Sequence, residues 1–496
     1  MKDLKQRTIR GGLARMGAQV SNIAIRAGSL MILARLLTPR DFGLVGMVTA
    51  FTGVLNLLRD FGLSSAAVQR ATVTDEQIST LFWINILVGT ILGVLTAASA
   101  PLLASFYREP RLVPVTIALG AAFVFNAVGV QHSALLQRQM RFTAMAVIQV
   151  VSLTVGTVLA IVGAKAGYGY WALVGMSLCV PLVGSLGAWL AAGWVPGMPR
   201  KGTGIGSMMR FGGTVSLNGI VAYLAYNADK VLIGRFWGTD VLGIYGRSYQ
   251  LVNIPTDNLN SAVGEVAFSA LSRVQDDPIR FRSYFLKGYS LVLAMTLPLT
   301  IACVVFAHDV VLVLLGPKWL DGVAIFRFLA PTILIFAVIN PLGWLLLSLG
   351  LVKRSLNIAL VFAPTLIIGY FIGLPYGPRG VAFAYSAVMA LWVVPFIFWC
   401  VRGTALSFRD VAGALVRPLA FGIAAGVAAF AASSAFMAAL APFLRLVLET
   451  GVLLTTFATL LLLVGGQRSF YLDLIRGMRK SPESDGAKLN LDLSET

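Results

Sequence analysis

Five basic residues sit inside stretches that are otherwise apolar: Arg15, Arg26, Lys230, Arg247 and Arg327. A charged side chain at the centre of a bilayer costs about 2.5–3.5 kcal/mol on insertion scales, so such residues face a wet cavity or a partner. Arg26 lies near the middle of its apolar stretch and has no acid beside it; Arg15 precedes it by close to three helical turns, so both can share one face. A second polar cluster begins with Asn227, Asp229 and Lys230. It continues as Arg247, Gln250, Asn253, Asp257, Asn258, Ser261 and Glu265, spaced mostly by three or four, which makes one helical stripe; Pro255 interrupts the backbone beside it. A guanidinium fork matches the oxygens of a phosphate. Polar and aromatic side chains such as Asn253, Asn258, Tyr249 and Tyr223 suit a sugar. The candidate substrate-binding residues are therefore Arg15, Arg26, Asp229, Lys230, Arg247, Asp257 and Asn258. A structural role stands beside the binding role for most of them. Arg15, Lys230 and Arg247 can snorkel to an interface, Asp229 and Lys230 can pair with a neighbouring helix, and Asp257 with Asn258 can hold a bent helix together.

No catalytic constellation accompanies these charges. The two histidines, His132 and His308, fall on opposite expected sides of the membrane, and no His/Cys metal spacing or phosphate-binding glycine loop is present. Cys179, Cys303 and Cys400 lie in apolar segments and form no disulfide framework. The reading is a non-enzyme with no cofactor.

The elements that must position the charges are membrane spans. Of 496 residues, 57% are hydrophobic and only 12% charged, against about 25% charged in a soluble domain. The net charge of +18 is spread among short loops and forms no basic domain, so nucleic acid is not an expected partner. A span needs about 20 apolar residues. Candidates run over 13–34, 42–58, 80–106, 113–131, 143–163 and 170–194; then 211–234, 241–270, 284–308, 323–350, 355–375 and 380–401; then 418–440 and 446–466. The expected class is an all-α polytopic membrane protein of about 14 transmembrane helices. Residues 1–196 form an N-terminal six-helix lobe, 197–209 a cytoplasmic linker and 210–403 a C-terminal six-helix lobe. Residues 404–466 add two helices, and 467–496 form a cytoplasmic tail expected to be disordered.

The lobes are linked by a repeat. ARLLTPRDFGLVGM (34–47) and GRFWGTDVLGIYGR (234–247) align at a constant offset of 200, each joining one span to the next. GYGYWA (167–172) and GPRGVA (377–382) echo each other where spans six and twelve begin. A repeat of six spans enters the membrane in one direction, so the lobes are expected to form a parallel pseudo-twofold pair about the membrane normal. With the N-terminus inside, most of the 39 Lys and Arg fall in cytoplasmic segments, which places both termini in the cytoplasm.

With these strings in hand, the chain resembles the polysaccharide-transporter branch of the multidrug/oligosaccharidyl-lipid/polysaccharide exporter superfamily. The first-lobe strings are ARLLTPRDFGLV (34–45), RDFGLSSAAVQ (59–69), ALLQRQMRF (134–142) and GYGYWALV (167–174). The second-lobe strings are ADKVLIGRF (228–236), ALSRVQD (270–276) and GPKW (316–319). The resemblance spans roughly residues 10–420. It implies a flippase that moves undecaprenyl-pyrophosphate-linked oligosaccharide across the bacterial inner membrane, for exopolysaccharide or O-antigen, by alternating access around a cationic cavity. Arg26 best matches the family's first-span cations; Arg15, Asp229, Lys230 and Arg247 match more loosely. Implied partners are the lipid-linked oligosaccharide and membrane lipids, with a polysaccharide polymerase as a candidate. Two other readings are a drug/cation antiporter of the same superfamily and a membrane glycosyltransferase or ligase. The arginines of span one weigh against the first, short loops and the lack of an acid/base pair against the second.

Overall fold

The computed structural model describes residues 2–59, 74–199, 206–437 and 439–464, without the side chains of 2–16, 18, 206–222, 259–263, 265, 266 and 269. The linker residues Arg200 and Lys201, most of the string 59–69 and the tail 467–496 therefore lie outside the described residues. What is described is helical, with no strand. Among the described residues, ten segments are long and apolar enough to cross a membrane. One of them, Val352–Val401, contains two of the expected spans. The all-α, multi-pass class expected from the sequence holds.

Local signals set the helix starts. Helix α1 (Lys2–Leu36) ends just before Thr38, which caps α2 (Pro39–Leu58). Thr38 N donates to Asp41 Oδ2 (2.9 Å) and Asp41 N to Thr38 Oγ1 (3.4 Å), with Pro39 in the first turn. This capping box satisfies two amides that a helix N-terminus leaves unpaired. The chain continues as α3 (Asp75–Ala98), α4 (Ala100–Tyr107), α5 (Leu112–Arg138), α6 (Phe142–Lys165) and α7 (Tyr170–Ala192). Then comes α8 (Gly206–Arg273), broken at Gly238. There φ is 82° and ψ −174°, a region that favours glycine. Gly238 stands 200 residues after Thr38, so the two repeat strings break their helices at equivalent positions.

The chain packs as two compact units. The first comprises 1–255, 310–332 and 351–392; the second comprises 256–309, 333–350 and 393–496. In the first, α3 packs on α5, α5 and α6 on α7, and α1 on α6. His132 of α5 is buried there, stacked on Trp189 at 4.2 Å. After α9 (Pro278–Val305) come α10 (Ala307–Leu314), α11 (Gly322–Leu329), α12 (Pro331–Ser348), α13 (Val352–Gly373) and α14 (Gly377–Val401); in the second unit α9 packs against α15 (Phe408–Ala432) and α16 (Pro442–Thr459). Helical geometry persists in α8 through Pro255, where the first unit ends.

Within the first unit the repeat strings lie against each other with reciprocal contacts. A Cβ added at Gly43 would stand 1.8 Å from Thr239 O, and one added at Gly243 would stand 1.9 Å from Pro39 O. Residues 43 and 39 are the counterparts of 243 and 239, so exchanging the halves maps one contact onto the other. The string 316–319 closes over the same place. Trp319 Nε1 donates to Ala34 O (2.9 Å), Lys318 Nζ to Arg35 O (3.1 Å) and Arg35 Nη2 to Val313 O (2.9 Å). The buried Trp319 ring meets Phe42 edge-on at 5.5 Å. The Trp319 and Lys318 donors occupy carbonyls that the last turn of α1 leaves open. Trp319→Phe keeps most of the ring volume but strips the donor from Ala34 O, and an orphaned buried acceptor costs about 1–3 kcal/mol. A drop of several degrees in the thermal midpoint of the purified protein is expected, and an unchanged midpoint would contradict this role.

Candidate functional site

Beneath that contact lies a cavity of about 370 Å³. Helix α1 contributes Arg26, Ser29, Leu30 and Leu33; α2 contributes Phe42, Val45, Gly46 and Thr49; α7 contributes Leu173, Met176 and Ser177. Helix α8 supplies Lys230, Leu242, Gly243, Gly246, Arg247 and Gln250. Three cations from both halves of the chain, Arg26, Lys230 and Arg247, thus line one space. No Asp or Glu is among the described residues that line it.

Amide oxygens and ring faces hold two of the cations in place. The Arg247 guanidinium donates to Gln250 Oε1 and lies 3.7 Å from the centre of the Phe42 ring. Lys230 Nζ donates to Asn227 Oδ1 (2.6 Å) and sits 4.3 Å from the centre of the Tyr249 ring. Ring faces and amide oxygens orient a cation through dipoles and quadrupoles without cancelling its charge. A carboxylate would cancel it. The neutral contacts of Arg247 thus leave its charge facing the cavity, and in a space bounded by helices it is screened less than on an open surface.

Asp229 takes no part in this lining. It is fully buried, and its Oδ2 accepts from Tyr245 Oη (2.7 Å) while Oδ1 accepts from Lys230 N (2.7 Å). Successive residues of a helix are about 100° apart, so adjacent residues of opposite charge point to different surroundings, the base to the cavity and the acid into the packed helices. Asp257 and Asn258 lie past Pro255, in the second unit; Asp257 is exposed and Asn258 half-buried, and neither lines this cavity. Arg15 lies in α1, and its side chain is outside the described residues. Phe42 and Tyr249, which hold the cations, carry no periodic signal of their own; the signal that points to Phe42 is its place in the repeat string.

Residues 32–324 match the sequence family described as "Polysaccharide biosynthesis protein". This chain belongs to that family. Among similar proteins are the lipopolysaccharide biosynthesis protein WzxC of Escherichia coli (strain K12) and the teichuronic acid biosynthesis protein TuaB of Bacillus subtilis (strain 168). The first is 26% identical over 398 residues, 78% of this chain and 80% of the relative. The second is 29% identical over 307 residues, 59% of this chain and 61% of the relative. The fold is similar to that of the lipid II flippase MurJ in an inward closed conformation, with a TM-score of 0.72 at 12% identity over 94% of this chain and 100% of that one. It is also similar to an inward-facing multidrug resistance MATE family transporter, with a TM-score of 0.62 at 14% identity over 81% of this chain and 98% of that one.

Proposed function

We propose that this protein is a flippase that carries undecaprenyl-pyrophosphate-linked oligosaccharide from the cytoplasmic to the outer face of the bacterial inner membrane, for exopolysaccharide or O-antigen synthesis. In this reading the lobes 1–196 and 210–403 alternate access to the cavity, both termini are cytoplasmic, and the contact of the repeat strings closes the outer side. A polymerase acting on the delivered oligosaccharide is a candidate partner. The observation that carries the reading is the meeting of Arg26, Lys230 and Arg247 in one cavity, with Arg247 held by an amide oxygen and a ring face. A pyrophosphate is the anion such a site fits, because guanidinium and ammonium donors converge on its oxygens. The relatives support the same direction: WzxC and TuaB are named for lipopolysaccharide and teichuronic acid biosynthesis, and a succinoglycan biosynthesis transport protein, ExoT of Rhizobium meliloti (strain 1021), is 23% identical over 302 residues. A drug/cation antiporter would need acids where this cavity has bases.

The test is charge removal. A hydrogen bond to a charged group contributes about 1.5–3 kcal/mol, so Arg26→Ala and Arg247→Ala should each weaken binding of undecaprenyl pyrophosphate by about 10- to 100-fold. Polymer export should fall with it at unchanged protein abundance. Arg26→Lys should restore only part, since Lys lacks the bidentate fork. Normal export by the Arg26→Ala/Arg247→Ala double variant would defeat the proposal.

A further inference from the structure

A second space of about 520 Å³ opens beside the cationic cavity and shares Arg26, Thr49, Met176, Ser177 and Gln250 with it. Its chemistry is different. Away from the shared edge its polar lining is Thr52 and Asn56 of α2 and Asn126 of α5, and its apolar lining includes Leu119, Phe123, Val180 and Pro181. Arg26, at the boundary, is the one charged residue among the described residues that line it. We infer that this neutral chamber is the sugar subsite: the saccharide attached to the pyrophosphate lies in it, recognised by Asn56, Asn126, Ser177 and Gln250, while the pyrophosphate lies in the cationic cavity. The inference rests on the flippase reading above and adds to it a division of one site into two chambers.

Three observations carry it. The amides are held in place: Asn56 Nδ2 donates to Thr52 O (3.1 Å) and Asn126 Nδ2 to Ala122 O (2.8 Å), each one turn back in its own helix. An asparagine side chain has a second amide hydrogen and a carbonyl oxygen. A tethered amide can therefore offer a donor and an acceptor side by side, which is what two neighbouring sugar hydroxyls need. Ser177 is oriented in the same manner, its Oγ donating to Leu173 O (2.9 Å), so that its lone pairs can accept. Next, the apolar wall formed by α5 and α7 suits the C–H face of a pyranose, and a pocket of this size with few polar groups on an apolar lining is the common form of a small-molecule site. Finally, both spaces are lined by Arg26, so a ligand that joins an anion to a neutral polyol would have its junction beside the residue where the lining changes from charged to neutral.

Other occupants fit less well. A second phosphate would find one cation in place of three. An isoprenoid chain could not satisfy the second amide hydrogen and the carbonyl oxygen that Asn56 and Asn126 offer, which is unfavourable.

The experiment measures binding to the purified full-length protein in detergent with two probes. One is bare undecaprenyl pyrophosphate. The other is the lipid-linked oligosaccharide pool extracted from cells deleted for this protein. The wild type should bind the glycosylated lipid at least about 10-fold more tightly than the bare lipid, the factor expected when hydrogen-bonding groups that a polyol satisfies are left unpaired without it. Asn56→Leu/Asn126→Leu should bring that ratio close to one while retaining affinity for the bare lipid, which also shows that the variant is folded. The single variants Asn56→Ala and Asn126→Ala should lie between. Arg247→Ala should weaken both probes together. A wild type that binds the two probes equally, a double variant that keeps the wild-type ratio, or one that loses both probes alike would overturn the sugar subsite and leave the flippase reading intact. Failure of the wild type to bind either probe would instead remove the reading on which the subsite rests.

Discussion

Gly43→Ala and Gly243→Ala should each nearly abolish polymer export by parting the two repeat strings, while Gly46→Ala and Gly246→Ala in the same strings should leave that contact closed. The difference comes from what each added methyl would meet. At Gly43 the new Cβ would stand 1.8 Å from Thr239 O, and at Gly243 it would stand 1.9 Å from Pro39 O. Both obstacles are backbone, so no rotamer change relieves them; the strings must part. At Gly46 the nearest atom is a Leu242 methyl at 3.6 Å, and at Gly246 nothing lies within 4 Å. Packed interiors do not absorb a misfit of this size smoothly, and overpacking costs about 1–3 kcal/mol even where side chains can shift. Phe42, Leu242 and Gly243, neighbours of this contact in the two strings, line the cavity, and in the flippase reading the contact closes that end. Preventing it should hold the transporter open on that side, not unfold it. Two readings check this: polymer export, and labelling of Thr49→Cys in the cavity by a membrane-impermeant thiol reagent applied outside intact cells. The glycine variants should export little and label more. Full export from Gly43→Ala would show that the contact is dispensable. Because the contacts are reciprocal, the two alanines should behave alike, and a large difference between them would also count against the symmetric closure.

Arg445→Leu should cost about 3–5 kcal/mol, the range for removing one partner of a buried ion pair. In the second compact unit one arginine of α16 serves two acids. Arg445 Nε donates to Asp309 Oδ2 (2.8 Å), its Nη2 to Asp309 Oδ1, and Nε lies 4.0 Å from Glu449 Oε1, which also accepts from Ser433 Oγ. Asp309 and Glu449 are 5% and 1% exposed. Without the guanidinium two carboxylates remain in a poorly solvated place and repel each other. Domains are stable by about 5–15 kcal/mol, so this single change removes a large share. The expected results are a strongly lowered thermal midpoint and reduced abundance. Arg445→Leu combined with Asp309→Asn and Glu449→Gln should recover most of the loss, because it is the uncompensated charge that destabilises. If the triple variant is no more stable than Arg445→Leu, the cluster acts through packing and the electrostatic explanation fails.

Much of the architecture follows from local properties of the chain. Whether a segment crosses a membrane depends on its own length and polarity, so apolar runs of about 20 residues are legible one at a time. A helix start is equally local: Thr38, Pro39 and Asp41 cap α2 with groups no more than three residues apart. The offset of 200 between the strings is legible because it requires only comparison of the sequence with itself. The presence of deep cations was visible too, since each is anomalous against its own apolar neighbours.

Which way those side chains point was settled only by packing. Asp229 and Lys230 are adjacent, and the sequence offers both as cavity residues, yet Tyr245 takes the acid and the cavity takes the base. A turn of about 100° per residue separates them, and the direction that faces a cavity is set by helices distant in sequence. Phe42 lies more than 200 residues from Arg247, whose charge it holds. The near-contact of Gly43 with Thr239 and the neutral chamber, assembled from α1, α2, α5, α6, α7 and α8, have the same origin. Each is a property of surfaces brought together by the fold, and hydropathy, which averages over the faces of a helix, carries no record of which face meets which.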